Sequence, residues 1–257
     1  MIVQYTVADG IARIMLNRPE KRNALNAEMI RGLREAFDQS AVNATVRVIV
    51  LEGAGADFCA GLDLKSTAQT DESDVMEHLE SARSLADLFV AMRRNPKVIV
   101  SAVRGRAIGG GCGLATASDL ILVSESAEFR YPEVNLGFVA AIVLPLLRRQ
   151  VSEKRAFEIV ACGASISAED AFAFGIANQV FEDDEFDGEV ESYVAKLAVK
   201  SASALSLTKD LLYHIDGMSF EAAIHAGLYT NAIARMTPDA RQGFERFVSQ
   251  SEARAKT

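Results

Sequence analysis

The stretch "AVRGRAIGGGCGLATASDL" (residues 102–120) sets three consecutive glycines, Gly109 to Gly111, between an apolar run and a helical pattern. A fourth glycine, Gly113, follows two residues later. Glycine inside a helix costs roughly 0.5–1 kcal/mol relative to alanine, so something must approach this backbone too closely for a side chain. A second stretch, "VLEGAGADFCAGLDL" (50–64), has the same build of apolar run, glycines and helix start. Taken singly, such glycines serve tight turns and close helix–strand packing. Two of them, each leaving backbone N–H groups free, suit a further purpose. The first turn of a helix presents unpaired N–H donors at the positive end of its dipole. Two converging donors of that kind form an oxyanion hole, which stabilises charge developing on a carbonyl oxygen.

Rival glycine motifs do not fit. Gly53-Ala54-Gly55 follows a strand, but the third glycine of a dinucleotide fingerprint would fall at Phe58 and no helix opens there. Gly105 and Gly110 have phosphate-loop spacing, yet Gly111 stands where that loop needs lysine. The chain has no G-x-S-x-G elbow to hold a serine nucleophile.

Working outward, the pattern predicts an α/β protein. A hairpin forms from "IVQYTV" and "IARIML" around Asp9-Gly10, a pair suited to positive φ. Asn26 caps a helix in which Met29, Ile30, Leu33, Ala36 and Phe37 recur at helical spacing. "VRVIVLEG", "KVIVSAVRG" and "DLILVS" read as buried strands, and a long amphipathic helix covers 74–95 before Pro96. From Ser152 onward the pattern is mostly helical, with Ser, Thr or Asp caps, Gly stops and one short strand at "ANQVFE". Residues 1–195 are expected to form the core, with 196–257 a helical region of the same domain. Phe244, Phe247 and Val248 form one apolar stripe on the last helix, which is expected to dock on the core or on a neighbouring subunit.

Composition narrows the function. At 257 residues and 49% hydrophobic content, the chain can bury a large core. A net charge of −8 with scattered basic residues speaks against nucleic acid as a partner. The apolar run from Val134 to Leu147 is too short for a membrane span and carries Asn135. "MIVQYTVADG" has neither a basic region nor an apolar signal core, so a cytoplasmic location is expected. Cys59, Cys112 and Cys162 are odd in number and widely spaced, and His78, His214 and His225 lack metal-ligand spacing. Neither a disulfide framework nor a metal site is expected.

The segments "LNRPEKRNALN" (16–26), "FCAGLDL" (58–64), "GRAIGGGCGLATASDLIL" (105–122), "FRYPEVNLGF" (129–138) and "ISAEDAFAFGIANQVF" (166–181) resemble the enoyl-CoA hydratase/isomerase (crotonase) superfamily, nearly end to end. The resemblance implies a crotonase-like spiral of ββα repeats followed by helices that build a homotrimer or a dimer of trimers. It implies an acyl thioester of coenzyme A as substrate, with no separate cofactor. Carried over by position, the oxyanion donors are the backbone N–H groups of Leu62 and Gly110. Arg22, Ala24 and Leu25, with Ala60, Gly61, Asp63 and Leu64, line the coenzyme A site, Asp63 serving as a loop-fixing or rim residue. Family hydratases carry glutamates at positions 113 and 133; here these are Gly113 and Glu133. Position 113 lies one helical turn beyond Gly110 and should share its substrate-facing side. A carboxylate after Pro132 also suits an exposed helix start, but the motif context makes Glu133 the acid/base.

Hydration needs a water held, deprotonated and delivered to C3 with a proton supplied to C2, which two carboxylates on opposite sides of that water do readily. A single carboxylate suits a different task, moving a proton from C2 to C4 of a 3-enoyl thioester through a dienolate. Isomerisation of 3-enoyl to 2-enoyl thioesters is therefore the favoured expectation. The alternatives are a hydratase for an unusual acyl group and a catalytically silent protein that binds coenzyme A esters. The aspartate of dienoyl-type relatives falls at Ala141. The apolar run Phe138 to Val143 is expected to bury Glu133 and raise its pKa. His78 is expected on the solvated face of its helix. Gln250 and Ser251 replace the basic pair with which the family contacts the nucleotide end of coenzyme A, leaving Arg254, Lys256 or Arg148-Arg149 as substitutes.

Overall fold

The computed structural model describes residues 1–64 and 75–254, with side chains through Ser249. Asp74 and Lys256 lie outside the described residues, as do the side chains of Gln250, Ser251 and Arg254.

Strands β1 (Val3–Ala8) and β2 (Ile11–Leu16) form the expected antiparallel hairpin. Asp9 and Gly10 adopt the positive φ that its two-residue turn requires. Helix α1 (Ala27–Val42) begins at Asn26, whose side chain accepts a hydrogen bond from the Met29 N–H. Strands β3 (Val48–Gly53), β4 (Val98–Val103), β6 (Leu120–Ser124) and β9 (Gln179–Phe181) then add in parallel, giving the order β1-β2-β3-β4-β6-β9. Helix α2 (Val75–Arg94) connects β3 to β4 on the same side as α1. The two-residue period divides each strand between two cores. Ile49 and Leu51 face α1 and α2, whereas Val48 and Val50 face α7 (Phe186–Ala198) across the sheet.

A second sheet, of order β5-β7-β8, consists of three-residue strands: β5 (Arg106–Ile108), β7 (Glu128–Arg130) and β8 (Ser165–Ser167). Such strands carry too little alternation to stand out in sequence. Isolated bridges extend the sheet, from Ala107 to Cys59 and from Leu62 to Leu25. Each turn of the chain thus lays one strand in the large sheet and one segment in the small sheet before a helix returns it. This is the expected spiral.

Helix α3 (Gly110–Ala117) follows β5, α4 (Leu144–Leu147) and α5 (Glu153–Cys162) follow β7, and α6 (Ala168–Phe174) follows β8. Ser152 and Ser167 cap α5 and α6, and Gly163 and Gly175 end them in left-handed conformation. Helices α8 (Ala202–His214), α9 (Phe220–Met236) and α10 (Pro238–Arg254) complete the chain. Phe244 and Phe247 are 60% and 70% exposed, so their stripe does not dock on the core of its own chain. Helix α9 buries no residue in the single chain and exposes Phe220, Ile224, Leu228 and Ile233. No helix of the described residues is long and apolar enough to cross a membrane.

One buried cation ties α8 to the sheet. Lys209 Nζ donates to Met92 O (3.1 Å), Lys97 O (3.0 Å) and Asp119 Oδ2 (2.8 Å), using all three of its protons. Asp119 also accepts from the Ile99 N–H and the Tyr213 hydroxyl. Removing one member of a buried pair leaves the other charge without its partner. Lys209→Ala is expected to lower unfolding free energy by about 3–5 kcal/mol, read as a shift of the urea midpoint. A midpoint equal to wild type would mean that the pair contributes nothing to stability.

Candidate active site

The site grows from the segment after β3. Asp57 carries the guanidinium of Arg106 on both carboxylate oxygens, which holds its pKa below the ordinary range against the opposing effect of burial. This fixes the segment against β5, where the Cys59 N–H donates to Arg106 O and the Ile108 N–H to Cys59 O. On its other edge the Ala60 N–H donates to Arg22 O, the Leu25 N–H to Gly61 O, and the Asp63 N–H to Leu25 O. In a parallel bridge, the residue between two such bonds turns its own amide away from the partner. Leu62 is that residue. Gly61 makes the reversal possible at φ +82, where a side chain is strained. A Cβ at Gly61 would stand 2.6 Å from Ile108 O and 3.4 Å from Gly110 N. The Leu62 amide therefore faces the start of α3. Among the described residues, neither the Leu62 nor the Gly110 N–H donates a hydrogen bond within the chain.

The glycine run now has separate causes at each position. Gly109, at φ +50, donates to Arg130 O at 2.8 Å and so brings the end of β7 beside α3. A Cβ there would meet Glu133 Oε1 at 2.9 Å. At Gly110 it would meet Leu25 Cδ1 at 3.1 Å, and at Gly111 Cys59 O at 2.3 Å. The run thus admits a carboxylate, a neighbouring side chain and a carbonyl.

Glu133 opens a 3-10 turn and is half-buried. Its Oε2 is buried without a hydrogen-bond partner among the described residues. Burial raises its pKa above the ordinary carboxylate value, and its own backbone N–H opposes this in part. The expected apolar surround is only partly present. Ala140 and Val143 are buried, but Phe138 and Val139 are 64% and 66% exposed, because the chain turns outward after Gly137. The Cys112 and Tyr131 side chains lie close enough to Glu133 for its charge to push both of their pKa values upward, burial being the main cause for each.

Gly113 lies on the same face of α3 as Gly110, as expected, and that face is occupied. A Cβ at 113 would lie 2.4 Å from Phe89 Cζ and 2.7 Å from Val143 Cγ1. The place of a second carboxylate is filled by two apolar side chains. A cleft of about 600 Å³ lies beyond Phe89, bounded also by Ile142, Leu146, Arg149 and Tyr213.

The remaining predicted residues lie in the two bridged segments, 22–25 and 60–64. Leu25 and Ala24 are buried, Ala60 is partly buried and Leu64 is exposed. Arg22 is exposed, at φ +52. Asp63 is paired with Arg18 at 2.9 Å, and Arg18 also donates to Ala24 O. Arg149 is paired with Asp216, and His78 is exposed. Arg18 and the fully buried Asn23 were not singled out from sequence. The Asn23 amide donates to Ala54 O and Asp57 O and its oxygen accepts from the Arg18 N–H, fastening the rim loop. The signal was present in "RNALN", where a polar residue precedes two apolar ones.

The profile of the enoyl-CoA hydratase/isomerase family matches residues 6–255. A Thermus thermophilus protein provisionally named an enoyl-CoA hydratase is 36% identical over 244 residues, covering 95% of this chain and 96% of its own length. The crystal structure of an enoyl-CoA hydratase from Mycobacterium smegmatis superposes with a TM-score of 0.93 at 31% identity, covering 97% of each chain. Human enoyl coenzyme A hydratase domain-containing protein 3 superposes with a TM-score of 0.93 at 26% identity, again covering 97% of each.

Proposed function

This chain belongs to the enoyl-CoA hydratase/isomerase family, and we propose that it shifts the double bond of a 3-enoyl-CoA thioester to the 2-position. The thioester oxygen accepts from the Leu62 and Gly110 amides, which carry no other bond among the described residues. Glu133 removes a proton from C2, and the released electrons form a C1–C2 double bond and push the carbonyl pair onto that oxygen as a dienolate. On its collapse the double bond moves from C3–C4 to C2–C3 as the same carboxyl returns the proton at C4. No water is consumed and no second acid is required. Arg22, Ala24, Leu25, Ala60, Gly61, Asp63 and Leu64 border the coenzyme A portion in this reading.

The observation that carries the proposal is a half-buried Glu133, its Oε2 without a partner among the described residues, together with a Gly113 whose outward space is filled by Phe89 and Val143. A dienolate shuttle needs a base on one side of the acyl chain only. The raised pKa makes Glu133 a stronger base than an ordinary carboxylate and argues against a silent protein. The names of the relatives favour hydration as the second reading. Absorbance of the conjugated thioester separates them. The protein is expected to raise it with trans-3-hexenoyl-CoA and to leave it nearly unchanged with trans-2-hexenoyl-CoA. Loss of absorbance with the second ester would establish hydration instead, and silence with both would end the catalytic assignment.

The apolar faces of α9 and α10 support assembly as a homotrimer or dimer of trimers. A monomer by light scattering would overturn this part of the proposal.

A further inference from the structure

We infer that Phe89 is the stop at the far end of the acyl pocket and restricts the substrate to short acyl chains. The inference rests on the acyl-thioester reading above. With the thioester oxygen at the Leu62 and Gly110 amides and C2 to C4 beside Glu133, the acyl chain must run along the face of α3 that carries Gly110 and Gly113. Helix α2 covers that face with two side chains one turn apart. Leu85 Cδ2 lies 3.7 Å from the Cβ position of Gly110, and Phe89 Cζ lies 2.4 Å from that of Gly113. Phe89 is 3% exposed and is also part of the wall of the 600 Å³ cleft. Its ring is therefore the partition between the reacting carbons and that space.

Ala86, Val90, Ile142 and Leu146 give the cleft an apolar lining that suits an alkyl tail, and the paired Arg149 and Asp216 line it as well. Its volume is within the range of ordinary small-ligand pockets. The partition is also held in place. Lys209 binds the Met92 carbonyl, and the Arg93 guanidinium stacks on the Tyr213 ring at 4.1 Å, so the last turn of α2 is fastened from behind. A long chain would have to displace the ring, because the helix that carries it is anchored.

Calorimetric titration with butanoyl-CoA and decanoyl-CoA, neither of which can be isomerised, tests the inference apart from catalysis. Wild type is expected to bind decanoyl-CoA about tenfold or more weakly than butanoyl-CoA, as a steric limit in an apolar pocket produces. Phe89→Ala is expected to reverse that preference by at least about tenfold. Phe89→Leu, which keeps the site apolar while shortening the obstacle, decides the matter if the alanine variant does not fold. Equal binding of both esters by wild type would overturn the inference, as would a folded variant that gains no affinity for the longer ester. If neither ester binds wild type, the acyl-thioester reading itself fails.

Discussion

Glu133→Gln is expected to lower isomerase turnover about 10²–10⁴-fold while leaving the thermal midpoint at neutral pH unchanged or slightly raised. Both halves follow from the same burial. Glu133 is the proposed carrier of the proton, and glutamine preserves its shape without its basicity. Burial raises the folded-state pKa above the unfolded value, so the folded protein binds this proton more tightly than the unfolded chain. That contribution to stability is fully present below the unfolded pKa and is lost as pH rises through the folded one. Above the folded-state pKa the carboxylate is charged while its Oε2 has no partner among the described residues, and glutamine removes that charge. The acid limb of the wild-type rate profile is accordingly expected above the ordinary carboxylate range, because the base must be ionised to act. Full turnover in the variant would reduce Glu133 to a structural carboxylate.

Gly61→Ala is expected to reduce kcat about 10²–10³-fold, the usual effect of losing one oxyanion donor. The added methyl would stand 2.6 Å from Ile108 O, a backbone atom that cannot rotate away, at a φ of +82 that L-residues rarely adopt. Relief of that clash requires the segment to turn, and the Leu62 amide turns with it. Steady-state kinetics and calorimetric binding of butanoyl-CoA separate the two consequences. Affinity for the ground-state ester should fall much less than kcat, since the donors matter most when the oxygen becomes negative. Wild-type kcat in a folded variant would remove Leu62 from the oxyanion assignment.

Much of this arrangement was legible in the sequence because its signals are local. The Asp9-Gly10 turn, the Asn26 cap and the Ser152 and Ser167 caps act within a few residues of the positions that reveal them. Residues 58–64 and 105–122 form the site's backbone framework with a glycine pattern that is itself local. What escaped notice depends on distant partners. β5, β7 and β8 are too short to show a period and exist because each pairs with its neighbour across tens of residues. Lys209 is an ordinary helix lysine until Asp119, 90 residues away, supplies its partner. Phe89 sits in a normal apolar stripe with Leu85, Leu88 and Met92. Only the packing of α2 on α3 distinguishes it from a core residue. The expectation that Phe138 and Val139 enclose Glu133 failed for a related reason: hydrophobicity does not reveal direction, and Gly137 in left-handed conformation sends the chain outward.

The spiral places the three candidate groups at corresponding points of successive coils. The small sheet joins Cys59 to Ala107 and Ala107 to Phe129. Leu62, Gly110 and Glu133 follow those residues at nearly equal offsets along the chain. Each group therefore hangs from its own rung, and a change in one coil's connecting loop can re-aim a single group while the other two stay in register. Such an architecture lets chemistry diversify one component at a time, without asking the underlying ladder to be rebuilt.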